Sequence, residues 1–484
     1  MSNSEPDTKL AVEEHKVGSD AEAPHPHKVL KGYSVEGGAL SNACSGGVEV
    51  DKAGIRRTGG VWSTLFLVIT AVIGSGVLSL PYSLAMLGWV AGIVSLLVFA
   101  WITLYTSQLL ADCHIVDGER TRSYIEQVGK IMGRKHLIII AWVQQVNLVL
   151  TALAYSITAT YAMVNVANSV CEANGTTEAR CFNAFWKWAL IHGGMQFFFS
   201  YIPDMDSSIW PCVLGAFCSF LYSFIALGRA LDEISETNTV YGTVSGISGL
   251  SSSEKAFGVM NSLGAIQFAF NFSMILPEIQ DTIKDGLKGG PIKAMRRTVN
   301  ISVALMTGFY LAVAVSGYLA YGNDVAGNIL DSFATPRWLV DMANIAVIIH
   351  LLPAYQVWSQ PFFFIESNQA SWWGKRGRKV PKLLSGWYFR AWFRPLYVAI
   401  ITFLTVCVPF FSYIIGFAGA LGFWPATVYY PIEMWIKMYQ PSKNMRFWLE
   451  ALNIFCLVSS IVALIGAVQL IVVAWGDFCF FCDA

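Results

Sequence analysis

The sequence is poor in charge: only 13% of its 484 residues are Asp, Glu, Lys or Arg, against 55% hydrophobic and 14% aromatic, and its mean hydropathy is +0.51. Soluble globular domains are about 25% charged, so this composition excludes that class and points to a polytopic membrane protein. Motifs that carry enzyme chemistry are missing as well. There is no HExxH helix, glycine-rich phosphate loop, nucleophile elbow or Cys/His cluster, so an enzyme, a metal site and a resident cofactor are all without support. Nothing points to nucleic acid, and the partners implied are a lipid bilayer and a small solute. A charged-then-apolar signal peptide is also absent, and the first apolar run is too long and lacks a small-residue cleavage pattern, so it is expected to stay in the mature protein. Residues 1–57 have no apolar periodicity and are rich in Glu, Lys, His and Gly, which predicts a disordered tail.

What is present is a series of long apolar runs. A helix needs about 20 apolar residues to cross the hydrocarbon core, and eleven stretches qualify: Val61–Leu87, Val90–Leu110, Leu137–Val170, Ala184–Ile202, Ile209–Leu231, Phe257–Ile279, Val299–Tyr321, Trp338–Ile365, Pro395–Phe411, Tyr413–Ile436 and Phe447–Trp475. The expected fold class is all-α and polytopic, with a transmembrane domain over 58–476 and a short C-terminal segment, 477–484. Cytoplasmic loops carry the excess of Lys and Arg. With the N-terminus inside, the inner connections hold Arg120, Arg122, Lys130, Arg134, Lys135, the group from Lys284 to Arg297, the KRGRKVPK run and Lys437, Lys443 and Arg446. The outer ones hold only Arg180, Lys187, Arg229, Lys255 and Arg337. The N-terminus is therefore expected inside and the C-terminus outside.

That orientation puts CEANGTTEARC in an oxidising compartment, where Cys171 and Cys181 are candidates to pair. In the same loop Asn174, Gly175 and Thr176 form a glycosylation acceptor. The CFFC run, Cys479 to Cys482, reads as an incidental or lumenal disulfide rather than a redox motif.

Two of the apolar runs are built to break. The first, ITAVIGSGVLSLPYSLAMLGW, holds Gly74, Ser75, Gly76 and Pro81, and both Gly and Pro are unfavourable in a helix interior. The sixth, AIQFAFNFSMILPEIQ, carries Asn271, Ser273, Pro277 and Glu278 at depth. Interrupted helices at corresponding positions of two halves mark inverted-repeat transporters. Being five spans apart, these two predict antiparallel halves, spans one to five and six to ten, with the eleventh peripheral. Helix N-termini offer free amides to an anion, and exposed carbonyls suit a cation. A zwitterionic amino acid offers both charges. The amides near Ser75, Gly76 and Val77 are expected to hold its carboxylate, and the carbonyls of Ile73, Phe270 and Asn271 its ammonium. Gly74 and Gly76 would let the ligand approach the backbone closely.

Polar groups at membrane depth each need an account. Glu278 is either a proton-coupling carboxyl or a structural tie, and His350 either a second titrating group or a hydrogen-bonded neutral ring. Asp112, Glu366 and Glu433, at helix ends, read as partners for basic loops. Gln144, Asn147, Thr151 and Tyr155 recur at spacings of three and four, so they share one helix face, beside Gln145. That face is expected to line the cavity or to bond neighbouring helices. Phe417, Phe423 and Trp424 read first as packing residues of the tenth span.

The run ITAVIGSGVLSLP followed by LGWVAG, then LLADC, ILPEIQDTIK, GNDVAGNIL, HLLPAYQVWSQP and FWPATVYYPIEMWI resembles the plant amino acid permeases of the amino acid/auxin permease superfamily. The resemblance covers nearly everything from residue 58 onward. It implies eleven helices on the leucine-transporter fold, a plasma-membrane location and proton-coupled amino acid uptake. Leu80 to Ser83 reads LPYS, where such permeases usually have LAWA, and is closer to the lysine/histidine-transporter and auxin-importer branches. The expected function is proton symport of amino acids by alternating access, with the proton as coupling ion and no other cofactor. A sodium-coupled transporter, an amino acid sensor with a signalling tail and an auxin importer are the alternatives.

Overall fold

Apolar side chains stand on every face of most of the long helices, as befits segments that meet protein on one side and lipid on the other. The computed structural model describes residues 49–50, 56–57, 59–175, 181–201, 209–284, 286–363 and 386–476. The tail up to residue 48, Thr176 to Arg180, Glu366, the KRGRKVPK run and Cys479 to Cys482 lie outside the described residues.

The helices are α1 (Val61–Val72), α2 (Ser75–Leu87), α3 (Trp89–Asp112), α4 (Tyr124–Met132), α5 (Arg134–Ala173), α6 (Phe185–Phe199), α7 (Ile209–Thr237), α8 (Ser252–Ala269), α9 (Leu276–Asp281), α10 (Gly290–Tyr321), α11 (Arg337–Phe363), α12 (Gly386–Cys407), α13 (Phe411–Gly422), α14 (Tyr430–Tyr439) and α15 (Lys443–Gly476). Among the described residues nine spans are long and apolar enough to cross a membrane, and the α1–α2 pair, bent by 50°, makes ten. Each of the eleven expected stretches is helical, but the fourth holds only the 15 residues of α6, short of a crossing length. The tenth is not uniform either, since a wide-turned π-helical segment, Phe423–Tyr429, joins α13 to α14.

Local chemistry sets several of the ends. Ser251 caps α8 by accepting from the Glu254 N–H at 3.2 Å, while Glu254 accepts from the Ser251 N–H at 2.9 Å, a reciprocal box that satisfies two donors. Ser123 caps α4 by accepting from the Glu126 N–H at 3.2 Å, while the Glu126 carboxylate accepts from the Arg122 N–H at 2.9 Å. This short helix follows a two-stranded turn, Ile115–Val116 paired with Glu119–Arg120. The Ser/Gly-rich connection before α8 folds back onto the α2–α3 junction, with the Ile247 N–H donating to the Ala85 carbonyl at 2.8 Å.

The centre of the bundle is α8 with α9: 83% of the apolar window of this span is buried, the largest share of any span described. It lies against α2, α13 and α15. Contact with α13 is backbone to backbone. A Cβ on Gly264 would stand 2.3 Å from the Gly416 carbonyl oxygen, and one on Gly419 2.0 Å from that of Gly264, so only glycine permits this crossing. The eleventh stretch, α15, is tied directly to the centre: the Gln267 amide donates to Ser459 Oγ at 3.0 Å, two residues before α8 ends.

Candidate functional site

The α1–α2 break exposes carbonyls that a continuous helix would have satisfied, and buried carbonyls need donors. Side chains from four helices supply them. The Ala71 carbonyl accepts from the Tyr155 hydroxyl at 2.8 Å and from Trp358 Nε1 at 2.9 Å. That of Val72 accepts from the Tyr310 hydroxyl at 2.9 Å, and that of Ile73 from the Tyr222 hydroxyl, also at 2.9 Å. Tyr310 also reaches the Ala269 carbonyl at 3.2 Å, so one phenol ties the end of α1 to the end of α8. The N–H groups of Ser75, Gly76 and Val77 open α2, where no earlier carbonyl of the helix can reach them. Ser75 Oγ is buried with no partner among the described residues.

The glycines have a different neighbour from the one anticipated. A Cβ on Gly74 would meet the Tyr155 hydroxyl at 2.9 Å, and one on Gly76 would meet Ala269 Cα at 3.1 Å. It is therefore this chain's own Tyr155 and α8 that approach the backbone here, and the two breaks are in direct contact.

In the sixth span the α-helix stops at Ala269, its end drawn tight by the Phe270 and Asn271 N–H groups donating to the Gln267 and Phe268 carbonyls, makes one tight turn over Ser273–Ile275, and resumes as α9 with Pro277 in its first turn. Thr103 Oγ1 lies 3.4 Å from the Phe270 carbonyl, and Ser107 Oγ 3.2 Å from Ser273 Oγ. Asn271 is held by its side chain, its amide donating to Asn147 Oδ1 at 3.2 Å and its oxygen accepting from Thr427 at 3.0 Å. Asn147 in turn donates to the Ala418 carbonyl at 2.6 Å. This chain joins α5, the sixth-span break and the α13–α14 segment.

Glu278 is buried beside that chain. Its Oε1 accepts from Gln144 Nε2 at 3.0 Å and from the Tyr124 N–H at 3.2 Å, while Oε2 is buried with no partner among the described residues. Gln144 also donates to the Met274 carbonyl at 2.6 Å, and the Tyr124 hydroxyl to that of Ala426. His350 has separate partners: Nδ1 donates to the Gly215 carbonyl at 2.9 Å, and the ring meets Tyr222, the phenol that caps Ile73, edge to face at 5.7 Å.

The polar face of α5 links these parts. Gln144, Asn147 and Tyr155 serve the two breaks, with Thr151 between them, and the stripe continues through Thr158 and Tyr161 to Asn165, whose amide donates to Asp331 Oδ1 at 2.8 Å. Beyond Tyr155 the stripe borders a cavity of about 360 Å³ lined by Tyr82, Thr158, Tyr161, Asn328, Asp331 and the Pro409–Tyr413 turn. At this end of the bundle Cys171 and Cys181 are joined in a disulfide, with Asn174 exposed beside it. The opposite end is cross-linked among the described residues. Arg57 donates to the Asp281 carboxylate at 2.8 Å and to its carbonyl at 2.9 Å, Arg120 to the Ile283 carbonyl at 2.7 Å, and Gly59 pairs through its backbone with Thr282 and Lys284. Asp112 pairs with Arg296 at 2.7 Å. Phe423 packs edge to face on Phe99, and Trp424 donates to Asn453 at 2.7 Å.

Tyr155 apart, the phenols and the indole that cap the first break, the Arg57–Asp281 pair and Asp331 were not singled out from the sequence. Each depends on which helix is whose neighbour, which one-dimensional periodicity does not carry. The isolated Asp331 in an otherwise uncharged stretch was the one available signal.

A sequence profile described as transmembrane amino acid transporter protein matches residues 57–473. Amino acid permease 2 of Arabidopsis thaliana is 36% identical over 86% of this chain and 89% of its own length, and amino acid permease 8 of the same plant 37% over 86% and 91%. Lysine histidine transporter-like 1, also from Arabidopsis thaliana, is 28% identical over 87% and 90%. Among solved structures, MhsT in complex with L-phenylalanine superposes with a TM-score of 0.54 at 12% identity, covering 85% of this chain and 99% of that one. Mhp1, a nucleobase-cation-symport-1 family transporter, gives 0.55 at 12%, covering 87% and 93%. At that identity the likeness is one of fold.

Proposed function

This chain belongs to the transmembrane amino acid transporter protein family, and from that premise we propose that it is a plasma-membrane symporter that imports amino acids with protons by alternating access. The relatives are named amino acid permeases, which supports amino acids as the cargo. The fold likeness to MhsT and Mhp1 supports an inverted 5+5 repeat of eleven spans, with α6 as the fourth. The loop charges and the disulfide support an orientation with the N-terminal tail in the cytosol, the C-terminus outside and Asn174 available for glycosylation. In this reading the amides of Ser75, Gly76 and Val77 hold the substrate carboxylate. The ammonium sits against the carbonyl side of the breaks, around Ile73, Phe270 and Asn271, with Ser273 and Asn147 fixing the second break.

The observation that carries proton coupling is Glu278: a buried carboxyl with two donors on one oxygen and none on the other, attached through Gln144 to the helix that also caps the first break. A free buried oxygen is costly when charged and is the natural place for a proton. Proton arrival would relax the hold of Glu278 on Gln144 and Tyr124, and so on the sixth-span break.

The test is amino acid-evoked current and labelled uptake in a heterologous cell at acid and neutral external pH, with and without sodium. Uptake should follow the proton gradient and ignore sodium; the reverse overturns the assignment. Glu278→Gln should abolish pH-driven accumulation while exchange of labelled substrate persists. Normal accumulation by that variant would reduce Glu278 to a structural tie.

A further inference from the structure

The cavity beside Thr158 and Tyr161 lies outward of both breaks in the orientation proposed, and its volume of about 360 Å³ falls in the range of small-molecule sites. Asp331 is the one charged side chain lining it among the described residues. The rest of the polar lining is neutral: the phenols of Tyr82, Tyr161 and Tyr413, with Asn328 and Ser412. Asn165 holds Asp331 Oδ1 at 2.8 Å, which fixes the carboxyl in place while its side chain stays open to the cavity. An acid oriented this way, with no other charge lining the cavity among the described residues, selects positive charge.

We propose that this cavity is a vestibular binding site for cationic amino acids, in which Asp331 pairs with the side-chain ammonium or guanidinium before the substrate reaches the breaks. The inference rests on the amino acid transport reading and adds to it a preference by charge. The central cradle of backbone amides and carbonyls reads only the part that all amino acids share. A charge-selective element outward of it supplies what the cradle lacks. Desolvation within the cavity raises the Asp331 carboxyl to about 6, with the Asn165 hydrogen bond opposing the rise, so the group is ionised at neutral external pH and loses its charge as the pH falls below about 6; the preference by charge is therefore one for neutral external pH, where it is measured.

The test compares the parent chain with Asp331→Asn and Asp331→Glu, normalised to protein at the cell surface. Labelled arginine and alanine uptake are measured, and arginine and alanine are titrated against the purified full chain by thermal shift. Loss of a charge-assisted bond should lower the arginine-to-alanine preference of Asp331→Asn by about tenfold or more, with Asp331→Glu restoring most of it. A preference in Asp331→Asn that stays within about threefold of the parent's, in uptake and in titration, overturns the site. If the parent chain takes up no amino acid, the transport reading has failed. The titration then decides the site alone: arginine binding weakened by Asp331→Asn upholds it, and binding that is absent or unchanged ends it.

Discussion

His114 shows what burying one ring costs at the end of the molecule that holds Arg57 and Asp281. It follows directly on α3, its Nδ1 lies 3.5 Å from Thr121 Oγ1, and its Nε2 is buried with no partner among the described residues. Burial, and then the charges of Arg120 and Arg57, push its pKa down to about 3. The unfolded chain, with an ordinary imidazole near 6.5, therefore takes up the proton more readily than the folded one. The stability this ring contributes is complete above about 6.5 and is lost progressively as pH falls towards about 3. The thermal midpoint of the purified chain should consequently drop between neutral pH and about pH 5, and His114→Gln should shrink that drop. Equal drops in both proteins would place the acid sensitivity elsewhere. Glu278 shares the unpaired buried atom but stands at the sixth-span break, tied through Gln144 to α5, and that placement is why one group is assigned to stability and the other is proposed for coupling.

At the scale of elements, the first break is kept open by donors on other helices, and the donors are not equivalent. Ala71 has two, Tyr155 and Trp358, whereas Ile73 depends on Tyr222. Tyr222→Phe strands a buried carbonyl at a cost of about 1–3 kcal/mol. Tyr155→Phe leaves Ala71 with Trp358 and should cost less. Thermal midpoints measured in parallel should rank the parent above Tyr155→Phe and Tyr155→Phe above Tyr222→Phe; the opposite order would mean the phenols act by packing alone. The place of the break was legible in the sequence, because Gly74 and Gly76 flanking Ser75 in an apolar run have no better use than an interruption. So was the polar face of α5, from Gln144 through Asn147 and Thr151 to Tyr155, because three-and-four spacing is a property of one helix. The caps were not legible, since a buried Tyr in α7 or α10 gives no sign of which carbonyl it will meet. Nor were the protein neighbours of the glycines: the sequence suggested close approach of a ligand, and the structure adds Tyr155 and Ala269 lying against Gly74 and Gly76. The short α6 was missed because hydropathy counts apolar residues and cannot tell where the helix stops.

Across the whole molecule, α5 runs from Glu278 to the cavity, about 30 Å from Gln144 to Asn165 at 1.5 Å per residue. At the Asp331 end lies the cavity; at the Glu278 end, Arg57 with Asp281, Arg120 with Ile283 and the Gly59 pairing close the bundle. If the chain works by alternating access as proposed, this asymmetry is that of one state of the cycle. If the closed end is a gate, its pair must be strong enough to hold and weak enough to release. Arg57 and Asp281 are 6% and 13% exposed, so removing one partner leaves the other largely buried and unpaired, a cost of about 3 kcal/mol. At about 1.4 kcal/mol per tenfold, Arg57→Ala should shift the balance towards opening of this end by about a hundredfold. Cys113, fully buried at the foot of α3, is a native reporter. In inside-out vesicles an impermeant maleimide should label it faster in Arg57→Ala than in the parent, with Cys113→Ser as the blank. Restoring closure by a different pairing, Arg57→Asp with Asp281→Arg, should bring the rate back part of the way. Labelling of Arg57→Ala at the parent's rate, with uptake lost, would make the pair a structural brace and not a gate.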